Sequence, residues 1–235
     1  MRQRHRCVWL TIAAALPALL AAQVWKNKPI AQWTPDDAKQ VLSDSPWAKA
    51  LTPTIDKSAV APHTIAGPGG IDIGGVGIGI PGRTRGLNGR TQRTVGNDKS
   101  AGEPPKLIVR WASALPVSAA EVIVHELDSP VVSEDQYAVS ISGLPRGMIP
   151  GDVERVAAEL KRTAVLKRDG KKDIKPSSVD VLMREDGPVV VYSFPRSAEI
   201  SRQDARVDFD ALIGRLKITQ AFTPGEMVYQ GKLEL

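Results

Sequence analysis

Apolar residues in the second half of the chain recur mostly at every second position, the spacing of a strand with one buried face. Leu107, Val109 and Trp111 alternate in this way, and Tyr137, Val139 and Ile141 do so again before the turn-forming Gly143-Leu144-Pro145. Further strands are predicted over 164–168, 179–183, 189–194, 206–212, 215–222 and 232–235, with Asp169-Gly170 and Asp186-Gly187 as turns. One stretch keeps a helical period: Val153, Val156, Ala157 and Leu160 share a face and predict a helix from about Gly151 to Arg162. Residues 118–124 carry two opposed signals, a capping-box pair in Ser118 and Glu121 and a β-branched run in Val122-Ile123-Val124, and they fit either a helix or a strand. Residues 106–235 therefore predict one mainly-β, α+β domain, a β-sandwich or partly open barrel with one helix.

A different pattern precedes it. Thr34 can cap a helix whose first residue is Pro35, Asp36 and Asp37 suit its positive end, and the helix should reach Ser43. Ser45 before Pro46 repeats the start signal and predicts a second short turn carrying Trp47, Ala50 and Leu51. Ala38, Val41 and Leu42 fall on one helix face, bracketed by Trp33 and Trp47. A helix this short is marginal alone in water, so the face must dock, either on the chain's own β domain or on a partner. Trp33, Trp47, Val41 and Leu42 are for that reason candidate partner-binding residues. From Thr52 to Pro105 periodicity disappears: ten of the 23 residues from Gly67 to Gly89 are glycine, which predicts a flexible linker. The expected organisation is thus a Trp-bearing helical element over 23–51, a Gly/Pro-rich linker over 52–105 and a β-rich domain over 106–235.

The pattern W-T-x-x-D-A-x-x-V-L-x-x-S-P-W from Trp33 to Trp47 resembles the start of a group of uncharacterised exported bacterial proteins, in which a tryptophan-containing helix follows the signal peptide. Arg110-Trp111-Ala112-Ser113-Ala114-Leu115-Pro116-Val117 and the segment from Met227 to Leu235 are similar to other parts of such proteins. The chain distantly resembles proteins named for a Gly-Trp-x-Thr-Asp motif, differing in Gln32 for the glycine and in Thr34 directly after Trp33. The resemblance implies export; it carries no catalytic residue and no cofactor.

The first 22 residues agree with export. Arg2, Arg4 and Arg6 precede an uncharged run from Cys7 to Ala22 that ends in Ala21-Ala22, the layout of a signal peptide. As a helix those 16 residues would reach about 24 Å, short of the roughly 30 Å hydrocarbon core, and Pro17 interrupts them. The expected location is periplasmic or extracellular, with an uncleaved N-terminal membrane anchor as the other reading. Cys7 is the chain's one cysteine and lies within this run, so removal of the signal would exclude thiol catalysis and cysteine-held zinc.

Charge adds an exclusion. The net +5 of the 235 residues divides into +3 over 1–22, +3 over 23–105 and −1 over 106–235, so the β-rich part lacks the concentrated basic surface that nucleic acid requires. Gly77, Gly79 and Gly82 match G-x-G-x-x-G, but Pro81 and the residues after Gly82 cannot form the helix that would hold a pyrophosphate. His125-Glu126 opens like a zinc-protease motif without a second histidine four residues on. Asp208 and Asp210 share one strand face and predict a solvated surface. One basic cluster remains, Lys161, Arg162, Lys167, Arg168, Lys171, Lys172 and Lys175, and Lys171 and Lys172 at its turn are the candidate contacts to an anion. These features predict an exported, non-catalytic cell-envelope interaction module without a cofactor. Its expected partner is an envelope protein or an anionic component, lipid headgroup or polysaccharide. The competing class is a hydrolase of envelope polymers, which would need a pair of carboxylates converging in a cleft.

Overall fold

The computed structural model describes residues 24–56, 104–124, 133–149 and 151–235. The expected signal at 1–22, most of the expected linker, the three glycines at 77, 79 and 82, and His125 lie outside the described residues.

Two short 3-10 turns, Val24–Asn27 and Ile30–Gln32, lead to helix α1, Pro35–Ser43. Its start is a complete capping box. The Thr34 hydroxyl accepts from the Asp37 N–H at 3.1 Å, the Asp37 carboxylate accepts from the Thr34 N–H at 3.0 Å, and Pro35 loses nothing at the first turn. Lys28 pairs with the same carboxylate at 2.8 Å. Ala38, Val41 and Leu42 are buried, as the period predicted.

Three short strands follow, β1 (Asp44–Ser45), β2 (Ala48–Leu51) and β3 (Thr54–Ile55), then β4 (Leu107–Trp111) and helix α2 (Leu115–Ile123). Strand β5 spans Gln136–Ser142 and helix α3 Val153–Thr163, with the Asp152 side chain accepting from the Arg155 N–H at its start. The remainder is β6 (Val165–Arg168), β7 (Ser178–Arg184), β8 (Gly187–Pro195), β9 (Val207–Ile213), β10 (Leu216–Phe222), β11 (Val228–Tyr229) and β12 (Lys232–Leu233). All described pairings are antiparallel: a six-stranded sheet ordered β1-β2-β4-β5-β8-β7, a four-stranded sheet ordered β3-β10-β9-β6, and the β11–β12 hairpin. The fold is mainly β in an α+β arrangement and closes no barrel among the described residues. The two larger sheets face each other across aromatic contacts, Trp111 on Phe222 at 5.1 Å and Tyr192 on Phe209 at 5.3 Å between ring centroids.

The strand register places several chain positions at one end of this sandwich. Trp111 closes β4 opposite Val139, Gln136 opens β5 opposite Pro195 at the end of β8, and Arg168 closes β6 opposite Val207 at the start of β9. Helix α2 begins four residues beyond Trp111, so its first turn lies at this end. The β7–β8 turn at Arg184 and Gly187 lies at the other.

Two local expectations give way. Residues 48–51 are not a helical turn: Ser45 does cap, accepting from the Trp47 N–H at 3.2 Å, but the chain then extends because β2 can pair with the edge of β4, from Ala48 opposite Arg110 to Leu51 opposite Leu107. The β-rich part also contains two helices, not one. In α2, Pro116 occupies the first turn and the Ser118 hydroxyl donates to the Leu115 carbonyl, so the helix starts three residues before the capping-box pair. Glu121 is not a cap; it is buried beneath the helix 3.5 Å from Arg110.

Gly187 shows how tightly the β7–β8 turn is set. Its φ is +137°, and a Cβ there would sit 2.3 Å from the Leu144 carbonyl oxygen. Gly187→Ala should lower the unfolding free energy by about 1–3 kcal/mol, whereas Gly147→Ala, at φ +79° with nothing within 4 Å, should cost less. Urea denaturation of both variants checks this, and equal costs would refute the steric argument.

Candidate functional site

The first group of predicted site residues lies in the core. Trp47 and Val41 are fully buried, Leu42 and Trp33 nearly so. Trp25 joins them with its centroid 5.8 Å from both Trp33 and Trp47, and Trp33 meets Tyr229 edge-on at 5.6 Å. The Trp47 indole N–H donates to the Glu234 carbonyl at 2.7 Å, the Trp33 N–H to the Trp25 carbonyl at 3.2 Å, and the Tyr229 hydroxyl to the Lys28 carbonyl at 2.6 Å. Of the two docking surfaces the sequence left open, the structure shows the chain's own. Trp25, ahead of the helix, and Tyr229, near the end of the chain, complete an aromatic cluster that helical spacing could not reveal.

The second group lies around a groove of about 670 Å³ lined by Arg168, Lys172, Asp173, Ile174, Lys175, Pro195 and Ala198. Its floor is apolar, because Ile174 is drawn in by a two-way backbone bridge to Leu166, at 2.8 and 2.9 Å. Its far wall is the segment after β8. The Ile200 N–H donates to the Tyr137 hydroxyl at 3.0 Å, and the Arg196 guanidinium lies 4.7 Å over the Tyr137 ring. Arg168 joins floor to wall, its two terminal nitrogens donating to the carbonyls of Glu199 at 3.0 Å and Lys172 at 2.8 Å. Both acceptors are neutral carbonyls, so the bonds fix the guanidinium without cancelling its charge.

The seven cations of the cluster are not equivalent. Lys167 pairs with Asp210 at 2.7 Å, and Lys171 pairs with Asp204. Lys161 and Arg162 occupy the last turn of α3, where positive charge suits the helix dipole. Lys172 and Lys175 are exposed at the groove rim and form no ion pair among the described residues, while Asp173 is the one carboxylate beside them. The anion contact expected of Lys171 and Lys172 therefore divides: Lys171 braces the wall and Lys172 faces the groove opening, with Lys175 as a member that spacing along the chain did not single out.

The carboxylates show the converse. Val207, Phe209, Ala211 and Ile213 are the buried face of β9, so Asp208 and Asp210 lie on the other. Asp208 pairs with Arg206 and Asp210 with Lys167. Burial raises the Asp204 carboxyl, but Lys171, the Ser201 N–H and the charge of Arg168 outweigh it and hold the group below its ordinary 3.8. Asp210 follows the same balance: burial raises it, and Lys167, the Thr219 side chain and the charge of Lys217 together outweigh that and hold it below its ordinary value. Asp37 is held down by Lys28 first and by the Thr34 N–H second. No group of three or more His, Cys, Asp or Glu that could hold a metal occurs among the described residues. No protein-family model, no curated protein and no solved structure matches the chain.

Two outcomes follow from these contacts. Trp47→Ala removes a fully buried ring and should cost about 3–5 kcal/mol of stability, with blue-shifted tryptophan emission in the parent protein; a variant that melts with the parent would contradict the packing. The second concerns acid. Asp37, Asp204 and Asp210 have folded pKa values below those of the unfolded chain, so their contribution is complete above the ordinary 3.8 and disappears as pH falls through the lower folded values. The melting temperature should drop between about pH 4 and pH 2, and Asp204→Asn, less stable than the parent at neutral pH, should converge on it as the pH falls. A difference that stays constant with pH would refute the linkage.

Proposed function

We propose that the chain is an exported, non-catalytic interaction module of the cell envelope, and that the groove beside Arg168 takes the anionic groups of an envelope component. The observation that carries this reading is the composition of the groove: an apolar floor, a guanidinium held by carbonyls, and two exposed lysines against one carboxylate. Such a surface suits a phosphate or carboxylate attached to apolar or polymeric material. The groove lining contains no aromatic side chain, so it offers no stacking platform for a sugar ring. A binding role is further supported by the carboxylates of β9, each spent on an ion pair.

The full chain should bind both an immobilised polyuronate and phosphatidylglycerol vesicles if the anion alone is recognised, or only one of them if its carrier matters. Binding should weaken as salt shortens the Debye length from roughly 10 Å at 0.1 M to roughly 3 Å at 1 M. Lys172→Glu with Lys175→Glu should weaken it at least about tenfold, since each lysine near an anionic surface contributes about 1 kcal/mol. No binding to either probe at low salt, or binding indifferent to salt and to both substitutions, would refute the reading.

A further inference from the structure

Helix α2 presents an unusual outer face. Its one charged residue, Glu121, is turned inward to Arg110, and the outward stripe consists of Leu115, Ser118, Ala119 and Val122. Leu115 is 47% and Val122 70% exposed, among the largest apolar exposures of the described residues. They are seven positions apart, two turns along one stripe. Leu115 borders a cavity of about 330 Å³ in which Pro29, Ile30 and Tyr229 extend the apolar surface beyond the helix and Gln230, Lys232 and Glu234 give a polar rim.

The position of this surface restricts what can cover it. The first turn of α2 lies at the end of the sandwich that also carries the basic groove, because Pro195 in the groove is opposite Gln136 and Trp111 is opposite Val139. Trp25 and Trp33, in the first described segment, pack in the same region, Trp25 on Trp47 and Trp33 on Tyr229, three and eleven residues past the apolar run 7–22. Cations and exposed aliphatic side chains at one end match an anionic bilayer surface, where phosphates meet the cations and the interface receives the aliphatic groups. A soluble polyanion would satisfy the lysines alone and leave Leu115 and Val122 in water.

We infer that this end of the sandwich seats on an anionic membrane surface, with Leu115 and Val122 entering the lipid interface while Lys172 and Lys175 meet headgroup phosphates. The inference rests on the reading of the groove as an anion site and adds the partner.

The test uses the full chain with Cys7→Ser, carrying Leu115→Cys, Val122→Cys or Met183→Cys labelled with an environment-sensitive dye. Met183 is 60% exposed beside the β7–β8 turn, at the opposite end, and serves as the control. With vesicles of phosphatidylglycerol in phosphatidylcholine, dyes at 115 and 122 should shift to the blue and the dye at 183 should not. The shift should be lost in pure phosphatidylcholine, and Lys172→Glu with Lys175→Glu should reduce it at least threefold at a fixed lipid concentration. Insertion of the run 7–22 alone would bring the chain to the vesicle without moving either dye, which would overturn the inference. A blue shift that grows with protein concentration in the absence of lipid would assign the stripe to a second copy of the chain and overturn it as well. Groove-dependent binding of polyuronate without any vesicle-induced shift would overturn the bilayer as partner and leave the anion site standing.

Discussion

The hydrogen bond from the Trp47 indole to the Glu234 carbonyl joins positions 187 residues apart and ties the first described segment to the C-terminal one. The Trp47 ring is fully buried, and the Glu234 carbonyl gives its N–H a partner in place of the water it loses, which fixes the C-terminal segment against the ring. Trp25 then packs on Trp47, Trp33 meets Trp25 edge-on, Tyr229 closes the cluster against Trp33, and α1 is held against the sheet. With the helix fixed, β2 reaches the open edge of β4 and β3 the open edge of β10, so one short segment contributes to both sheets. Each pairing covers backbone groups that would otherwise form an exposed edge.

Arg110 has the matching role on the outer face of the six-stranded sheet. Its side chain is nearly buried, its Nε donates to the Leu42 carbonyl at 2.9 Å, and its terminal nitrogen faces Glu121 at 3.5 Å. A buried ion pair is tolerated when its remaining donors are used, and here they tie α1, β4 and α2 together. The arrangement has a consequence for the surface of α2. Because the helix's one acidic residue is committed inward, nothing charged is left on its outer stripe, and the exposure of Leu115 and Val122 follows from the same contact that holds the helix in place.

Much of this was legible where the signal is local. The span of α1 from Pro35 to Ser43 was readable because the cap, the proline and the acidic first turn all lie within four residues, and the Asp169-Gly170 turn because Gly170 has a φ of +67° that glycine accommodates. Strands β5, β7, β8, β9 and β10 appeared within a residue or two of their predicted spans because alternation needs only neighbours. What failed depended on distance. Residues 48–51 form a strand only because β4 offers an edge, and Glu121 is a core residue only because Arg110 reaches it. The candidate site was legible to the same extent: the cations around Asp169-Gly170 could be counted, but their division into braced and open could not, since Asp204 and Asp210 come from later strands and loops.

That division decides what the basic cluster can do. Lys167 and Lys171 face carboxylates with depressed pKa values, so their charge is consumed in fixing β6 and the loop after β8, which are the floor and wall of the groove. Arg168 is held by two neutral carbonyls while its charge also acts on Asp204, and Lys172 and Lys175 form no ion pair among the described residues, with Asp173 the carboxylate beside them in the groove. Replacing Lys171 therefore acts on the shape of the groove through Asp204, whereas replacing Lys172 acts on what the groove can attract. A cluster that looks uniform along the chain is a scaffold and a contact surface set side by side, and only the contact surface has charge left for a partner.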